Sequence, residues 1–231
     1  TLGFEYDGET YIQSEHTDVY LEKAIELIDK GEAYYCHCTR AMRKQEPCHC
    51  KELHLQQTEN TNYALNYEVH DVCNNTFEDE ILGKVHCEYK THELTLIRTD
   101  RVISYNLGCV VDDILEGVTE IVRGADLIDI TPAQLSLYSS FNKNAPRYLH
   151  LPLIMQDSER KLSKQNHSPA VLDLASPQKL LITGLKFLNQ ETEDLNEDMS
   201  VYKILSKAVD RFCIDNISKR PLLMIKLQHS Q

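Results

Sequence analysis

Apolar positions along the chain follow two different periods, and the points where one gives way to the other mark its elements. Residues 14–31, SEHTDVYLEKAIELIDKG, place Tyr20, Ala24, Leu27 and Ile28 at helical spacing, while Glu22, Lys23, Glu26 and Asp29 fall elsewhere. That spacing predicts an amphipathic helix, with Ser14 or Thr17 capping its start and Gly31 ending it in the left-handed conformation. From Ala33 to His54 neither period holds; short alternating runs then appear at residues 63–69 and 85–89. Residues 34–92 therefore read as a compact insertion of short strands and helices.

Strand-like sequence returns in ELTLIR, residues 93–98. The apolar pairs Val110-Val111 and Ile121-Val122 read as buried parallel strands. TPAQLSLYSSF carries three helix-start signals: Thr131 as N-cap, Pro132 at the first helical position and Gln134 closing a capping box. YLHLPLIM, residues 148–155, is a further strand, with Pro152 at an edge or end. Ser176-Pro177 starts a helix running to Leu188, and Ser200 starts another whose apolar face is Val201, Ile204, Leu205, Ala208 and Phe212. The acidic residues 191–198 between them read as a solvated linker. Strands alternating with helices predict an α/β core followed by a helical tail.

Composition narrows the classes. The 231 residues are 42% hydrophobic and 26% charged, ordinary for a folded chain and enough for one sizeable core. No apolar run is long enough to cross a bilayer and the N-terminus TLGFEYDGET has no signal pattern, so a cytoplasmic protein with no membrane partner is expected. A net charge of -12 repels polyanions at long range, so a nucleic-acid partner must meet a local basic surface. Arg40, Arg43, Lys44 and Lys51 form one candidate patch. The chain opens on Thr1, which reads as a processed or truncated start.

Two stretches carry chemistry. YCHCTRAMRKQEPCHCKELH holds Cys36, Cys38, Cys48 and Cys50, four of the eight cysteines. Two Cys-x-Cys pairs across a short loop can converge as a tetrahedral zinc site; His54 replacing one thiolate, or four free thiols, are the alternatives. Cys73, Cys87, Cys109 and Cys213 are scattered and read as buried apolar cysteines. SERKLSKQNHS, residues 158–168, sets Arg160, Lys161 and Lys164 around Ser163. On composition this is a solvated turn; with a phosphate-bearing ligand it is a set of movable point charges.

Taken together, YYCHCTRA, YNLGCVVDDILEGVTEIVRGADLIDITPAQLSLY, YLHLPLIMQDSER and KLSKQNHSPA resemble the class I glutamyl-type aminoacyl-tRNA synthetases. Within that family the likeness is to the short glutamyl-queuosine tRNA(Asp) synthetase branch. It extends from Leu2 to about Leu188, and EGVTEIVRGADL and KLSKQNH carry it most specifically.

The resemblance implies a Rossmann-like α/β catalytic core with a zinc-bearing insertion and a helical C-terminal tail. Residues 1–33 would be the remainder of a first Rossmann half, 34–92 the insertion, 93–170 the second half with the KLSKQ loop, and 171–231 the helical C-terminal region. It implies tRNA-independent, ATP-dependent activation of L-glutamate to glutamyl-adenylate and transfer to queuosine in the anticodon of tRNA(Asp), by a monomer using Mg2+ and a structural Zn2+. Tyr105 and Arg123 match the family's glutamate-binding tyrosine and arginine, the guanidinium gripping a carboxylate at two points. Lys164 matches the signature lysine on ATP, with Lys161 and Ser163 beside it, and Cys36 and Cys38 match the first zinc pair.

The second zinc pair departs from the family's tyrosine and cysteine pattern, so Cys48, Cys50 and His54 compete for it. The family's N-terminal Arg-x-x-x-Ser loop and HIGH-like histidine motif have no counterpart in TLGFEYDGET or after it. Poor adenylation by this chain alone is therefore expected, as a fragment or a degenerate paralogue. The short stretch after Leu188 leaves no room for an anticodon-binding domain and favours the short branch. A fragment of a glutamyl-tRNA synthetase, or an inactive zinc-containing module that binds tRNA or protein, are the alternatives.

Overall fold

The computed structural model describes residues 2–8, 10–70, 76–87, 92–155, 170–220 and 222–224. Helix α1, Thr17–Asp29, buries Tyr20, Ala24 and Leu27 on one face, as its apolar spacing requires. Gly31, at φ 72°, ends it: its N–H reaches the Ile28 carbonyl at 2.9 Å and the Glu32 N–H reaches Leu27 at 3.0 Å. The start differs from expectation. A one-turn 3-10 helix, Gln13–Glu15, precedes α1, the N-cap position is His16, and the Thr17 hydroxyl donates back to the Ser14 carbonyl instead of capping.

Three strands, β1 (Ala33–Cys36), β2 (Ala64–Glu68) and β5 (Glu93–Ile97), form an antiparallel sheet in the order β1-β2-β5. Between β1 and β2 lies the short helix α2, Arg40–Gln45, capped by the Thr39 hydroxyl. Strands β3 (Thr76–Asp79), β4 (Gly83–His86), β6 (Glu120–Gly124) and β7 (Arg147–Leu151) form a second sheet ordered β4-β3-β7-β6. Here β3 and β4 are antiparallel, while β3, β7 and β6 run parallel. Past Pro152, β8 (Leu153–Met155) leaves this sheet and pairs in parallel with β9 (Leu222–Met224).

One expectation fails. Val110 and Val111 are not in a strand but in helix α3, Tyr105–Glu116. Their β-branched side chains suggested a strand, yet with Leu107 and Ile114 they make the i, i+3, i+4, i+7 set of a buried helix face. The Ser104 hydroxyl accepts from the Leu107 N–H at the start, and Gly117, at φ 69°, closes the end. Ile121 and Val122 do lie in a parallel strand, β6, but not a buried one: Ile121 is half-buried and Val122 exposed.

Helix α4, Thr131–Ser140, follows a 3-10 segment, Ala125–Ile130. It joins α1, α3 and the first sheet in the main core, through Leu27, Leu65, Leu96, Leu107, Val110 and Leu137. Polar groups inside this core are paired: the Tyr67 hydroxyl lies 2.6 Å from Ser136 Oγ and 2.7 Å from Ser140 Oγ.

The C-terminal part contains α5 (Val171–Leu174), α6 (Pro177–Phe187, capped by Ser176) and α7 (Val201–Arg211, capped by Ser200). The acidic residues 191–198 are more than a solvated linker. Leu195 is buried with Ile182 and Ile204, and Asp194 pairs with Lys207 and Arg211 of α7. Phe212, expected on the apolar face of α7, is 44% exposed. Among the described residues no helix is long and apolar enough to cross a membrane.

Candidate active site and metal centre

Strand β1 ends on Cys36, Cys38 follows two residues later, and the α2 turn brings the chain back so that Cys48 and Cys50 face them. All four sulfurs lie within 4.8 Å of one another. Cys36 to Cys48 is 3.7 Å, Cys38 to Cys48 is 3.7 Å and Cys38 to Cys50 is 3.5 Å. A disulfide would need about 2.05 Å. A tetrahedron of sulfurs about 2.3 Å from zinc has edges of about 3.8 Å, so the four thiols have the dimensions of a closed structural site.

Electrostatics agree with the geometry. Burial, then the hydrogen bonds its S–H gives to Cys50 and Cys48, pushes the Cys38 thiol well above its ordinary range, and burial first of all pushes Cys48 up to about 11. Cys50 goes down: burial opposes this, but the His37 backbone N–H and the neighbouring thiols favour its thiolate. Four adjacent thiolates repel one another, and a divalent cation at their centre is what would hold all four deprotonated. Arg43 donates to Cys36 Sγ at 3.1 Å while paired with Glu93, and His37 Nδ1 lies 3.2 Å from Cys50 Sγ. His54 stands outside the group, in a left-handed turn at φ 47°. Of the four basic residues of the candidate patch, Arg43 pairs with Glu93 and Lys51 with Glu68.

The second site lies at the carboxyl end of β6, where parallel α/β sheets place their ligands. Arg123 is fourth of the five β6 residues and is in register with His150 of β7. Its Nε donates to His150 Nε2 at 3.0 Å and its Nη1 to Gln134 Oε1 at 2.6 Å. Nη2 donates to Thr131 Oγ1 at 2.7 Å and to the Leu127 carbonyl at 3.4 Å. The guanidinium also lies over the Tyr148 ring, 4.9 Å from its centroid.

Thr131 and Gln134 therefore act differently from expectation. Thr131 is the first residue of α4, after the N-cap position Ile130, and neither side chain caps the helix. Both orient Arg123 instead. Four of the five N–H groups of the guanidinium point at these acceptors, and the Tyr105 hydroxyl is a further hydrogen-bond partner.

Tyr105 opens α3 and is 56% exposed. Its hydroxyl is raised above the ordinary tyrosine range by burial first and then by Cys109, while Arg123 pulls it down. The tyrosine and arginine thus share one electrostatic neighbourhood. Tyr105 also borders a cavity of about 270 Å³ lined by Gln13, Thr17, Tyr20 and Arg101. Gln13 and Tyr20 there both donate to Asp112, at 2.5 and 2.7 Å. Lys161, Ser163 and Lys164, with the rest of residues 156–169, lie outside the described residues.

Over residues 1–209 the chain matches the family described as tRNA synthetases class I (E and Q), catalytic domain. This chain belongs to that family. It is accordingly an aminoacyl-tRNA synthetase-like ligase, a class that uses ATP and Mg2+. It is 41% identical over 213 residues to the Glutamyl-Q tRNA(Asp) synthetase of Escherichia coli K12, covering 90% of this chain and 68% of that protein. The Shigella flexneri protein of the same name is 38% identical over 227 residues, covering 96% of this chain and 72% of the relative. The fold resembles the crystal structure of a glutamate-tRNA synthetase from Elizabethkingia anophelis, with a TM-score of 0.74 at 17% identity. That likeness covers 98% of this chain and 56% of the solved one.

The sequence singled out Arg123 and the four cysteines, whose sulfurs the structure brings together, but not the groups around the arginine. Thr131 and Gln134 were visible in TPAQ, with another role assigned. Asp79 and His150 carried no local signal: His150 meets Arg123, and Asp79 meets His150, only because β3, β7 and β6 lie side by side.

Proposed function

We propose that the chain forms part of a site that activates L-glutamate with ATP and transfers it to queuosine in tRNA(Asp). Glutamate's α-carboxylate attacks the α-phosphorus of ATP to give glutamyl-adenylate and pyrophosphate, without help from tRNA. A hydroxyl of queuosine then attacks the adenylate carbonyl, forming an ester and releasing AMP. Arg123 meets a glutamate carboxylate where its guanidinium faces the Tyr105 hydroxyl, the carboxylate taking the tyrosine's place as acceptor. Lys164, with Lys161 and Ser163, contacts the phosphates of ATP, and Mg2+ assists their departure. Cys36, Cys38, Cys48 and Cys50 hold a structural zinc that braces the insertion.

The observation that carries this reading is the interaction of Arg123, at the carboxyl end of β6, with the Tyr105 hydroxyl at the start of α3, in a chain whose relatives bear the name Glutamyl-Q tRNA(Asp) synthetase. The test is transfer of labelled glutamate by the protein from its longest reading frame. Ester formation on tRNA(Asp) with queuosine, and none on tRNA(Asp) without it, is expected. Labelling of the 3′ end of a glutamate tRNA would instead identify a glutamyl-tRNA synthetase fragment. Absence of glutamate-dependent pyrophosphate exchange would identify a binding module.

A further inference from the structure

A buried line of polar groups crosses the second sheet from β3 to β6. Asp79, His150 and Arg123 stand on the adjacent strands β3, β7 and β6, and the first two side chains are wholly buried. Asp79 Oδ1 accepts from the N–H groups of Ile81 and Leu82, at 3.0 and 2.8 Å. Asp79 Oδ2 accepts from the His150 backbone N–H at 3.0 Å and faces His150 Nδ1 at 2.7 Å. The carboxylate's acceptor sites are filled, so it is locked in place.

The arrangement determines the histidine's tautomer. Arg123 Nε can only donate, so His150 Nε2 must be the bare, accepting nitrogen and Nδ1 must carry the proton given to Asp79. Thr131 Oγ1 lies 3.3 Å from the same Nε2, and the Tyr148 ring stacks on the imidazole with 6° between planes. Rotation of the ring is blocked, and with it rotation of the guanidinium.

We propose that Asp79 and His150 are positioning residues for Arg123: Asp79 imposes the Nδ1–H tautomer, and the bare Nε2 anchors Arg123 Nε so that the guanidinium faces the glutamate carboxylate. This rests on the reading of Arg123 as the glutamate-binding arginine. Neither residue touches the substrate. Their effect falls on glutamate and not on ATP.

The variants separate the relay from simple packing. Asp79→Asn can keep the bonds to Ile81 and Leu82 through its oxygen, but its amide faces His150 with donors, favouring the wrong tautomer. His150→Gln offers an oxygen for Arg123 Nε, whereas His150→Leu fills space and offers nothing. In the chain described above, long-range proton–nitrogen NMR should find His150 as the Nδ1–H tautomer and a slowly exchanging Arg123 Nε–H. Asp79→Asn and His150→Leu should abolish that protection, and His150→Gln should restore it.

In the protein from the longest reading frame, glutamate- and ATP-dependent pyrophosphate exchange should show KM for glutamate raised about tenfold in Asp79→Asn and His150→Leu, the worth of one hydrogen bond to a charged group. KM for ATP should be unchanged, and His150→Gln should stay within about twofold of wild type. Finding the Nε2–H tautomer in the wild type, or equal behaviour of His150→Gln and His150→Leu, would overturn the relay. Should Asp79→Asn fail to fold, the two His150 variants still decide. If Arg123→Ala left KM for glutamate unchanged, the glutamate reading would fall, while the two resonances would still judge the relay by themselves.

Discussion

The cysteine cluster and the arginine network are assembled in opposite ways. All four thiols come from residues 36–50, a span one turn of chain can close. The groups on Arg123 come from residues 123–134 and from β7, with β3 behind them, so five elements must pack before the guanidinium is oriented. A local site can be stabilised by its ligand almost independently of the core, whereas a network spread over the sheet is as stable as the fold that holds it.

Removing metal from the zinc-loaded protein should have the largest effect. Structural zinc sites contribute on the order of 10 kcal/mol of binding energy, so chelation or Cys50→Ser is expected to expose thiols 36, 38 and 48 to alkylation and to lower the melting temperature sharply. Amide exchange in β6 and β7 should change far less. Equal loss of protection in both regions would erase the contrast.

Next in size is Arg123→Ala, which strands His150 and Gln134 without their donor. It should weaken glutamate binding about a hundredfold, roughly 2–3 kcal/mol, while bound zinc measured by atomic absorption stays at its wild-type ratio. Ser104→Ala tests a smaller link, since the Ser104 hydroxyl caps the helix that begins at Tyr105. About 1 kcal/mol of stability should be lost in chemical denaturation, with glutamate affinity falling less than for Arg123→Ala.

The smallest effect is on pH dependence. Burial holds His150 below its ordinary range, outweighing the pull of Asp79, with Arg123 lowering it further and Asp126 raising it. The native imidazole stays neutral where the unfolded one, near 6.5, takes up a proton. This contribution to stability is complete above that pH and declines below it, until the native histidine protonates too. Asp113, which burial raises, works with the opposite sign at lower pH. His150→Gln should flatten the stability profile between neutrality and mild acid. An unchanged profile would mean that the histidine titrates alike in both states.

Legibility followed the same division. The helix of residues 17–29, the strands at 64–68, 93–97 and 120–124 and the two capped C-terminal helices were readable because each is specified by its own period and end signals. Val110 and Val111 misled because a buried β-branched pair fits a strand or a helix, and only the wider spacing with Leu107 and Ile114 separates them. The acidic linker misled for another reason: charge predicts solvation, but Leu195 has a core to enter and Asp194 has two cations on α7 to meet.

The amino-acid order alone determined the α/β alternation, the cysteine cluster and the position of Arg123, because each depends on neighbours within a few residues or on a motif contiguous in the chain. Packing decided what Arg123 touches. Thr131 and Gln134 turned from caps into its acceptors, and His150 reached it across one strand boundary with Asp79 behind it across a second, because parallel pairing brings together side chains that no local spacing relates.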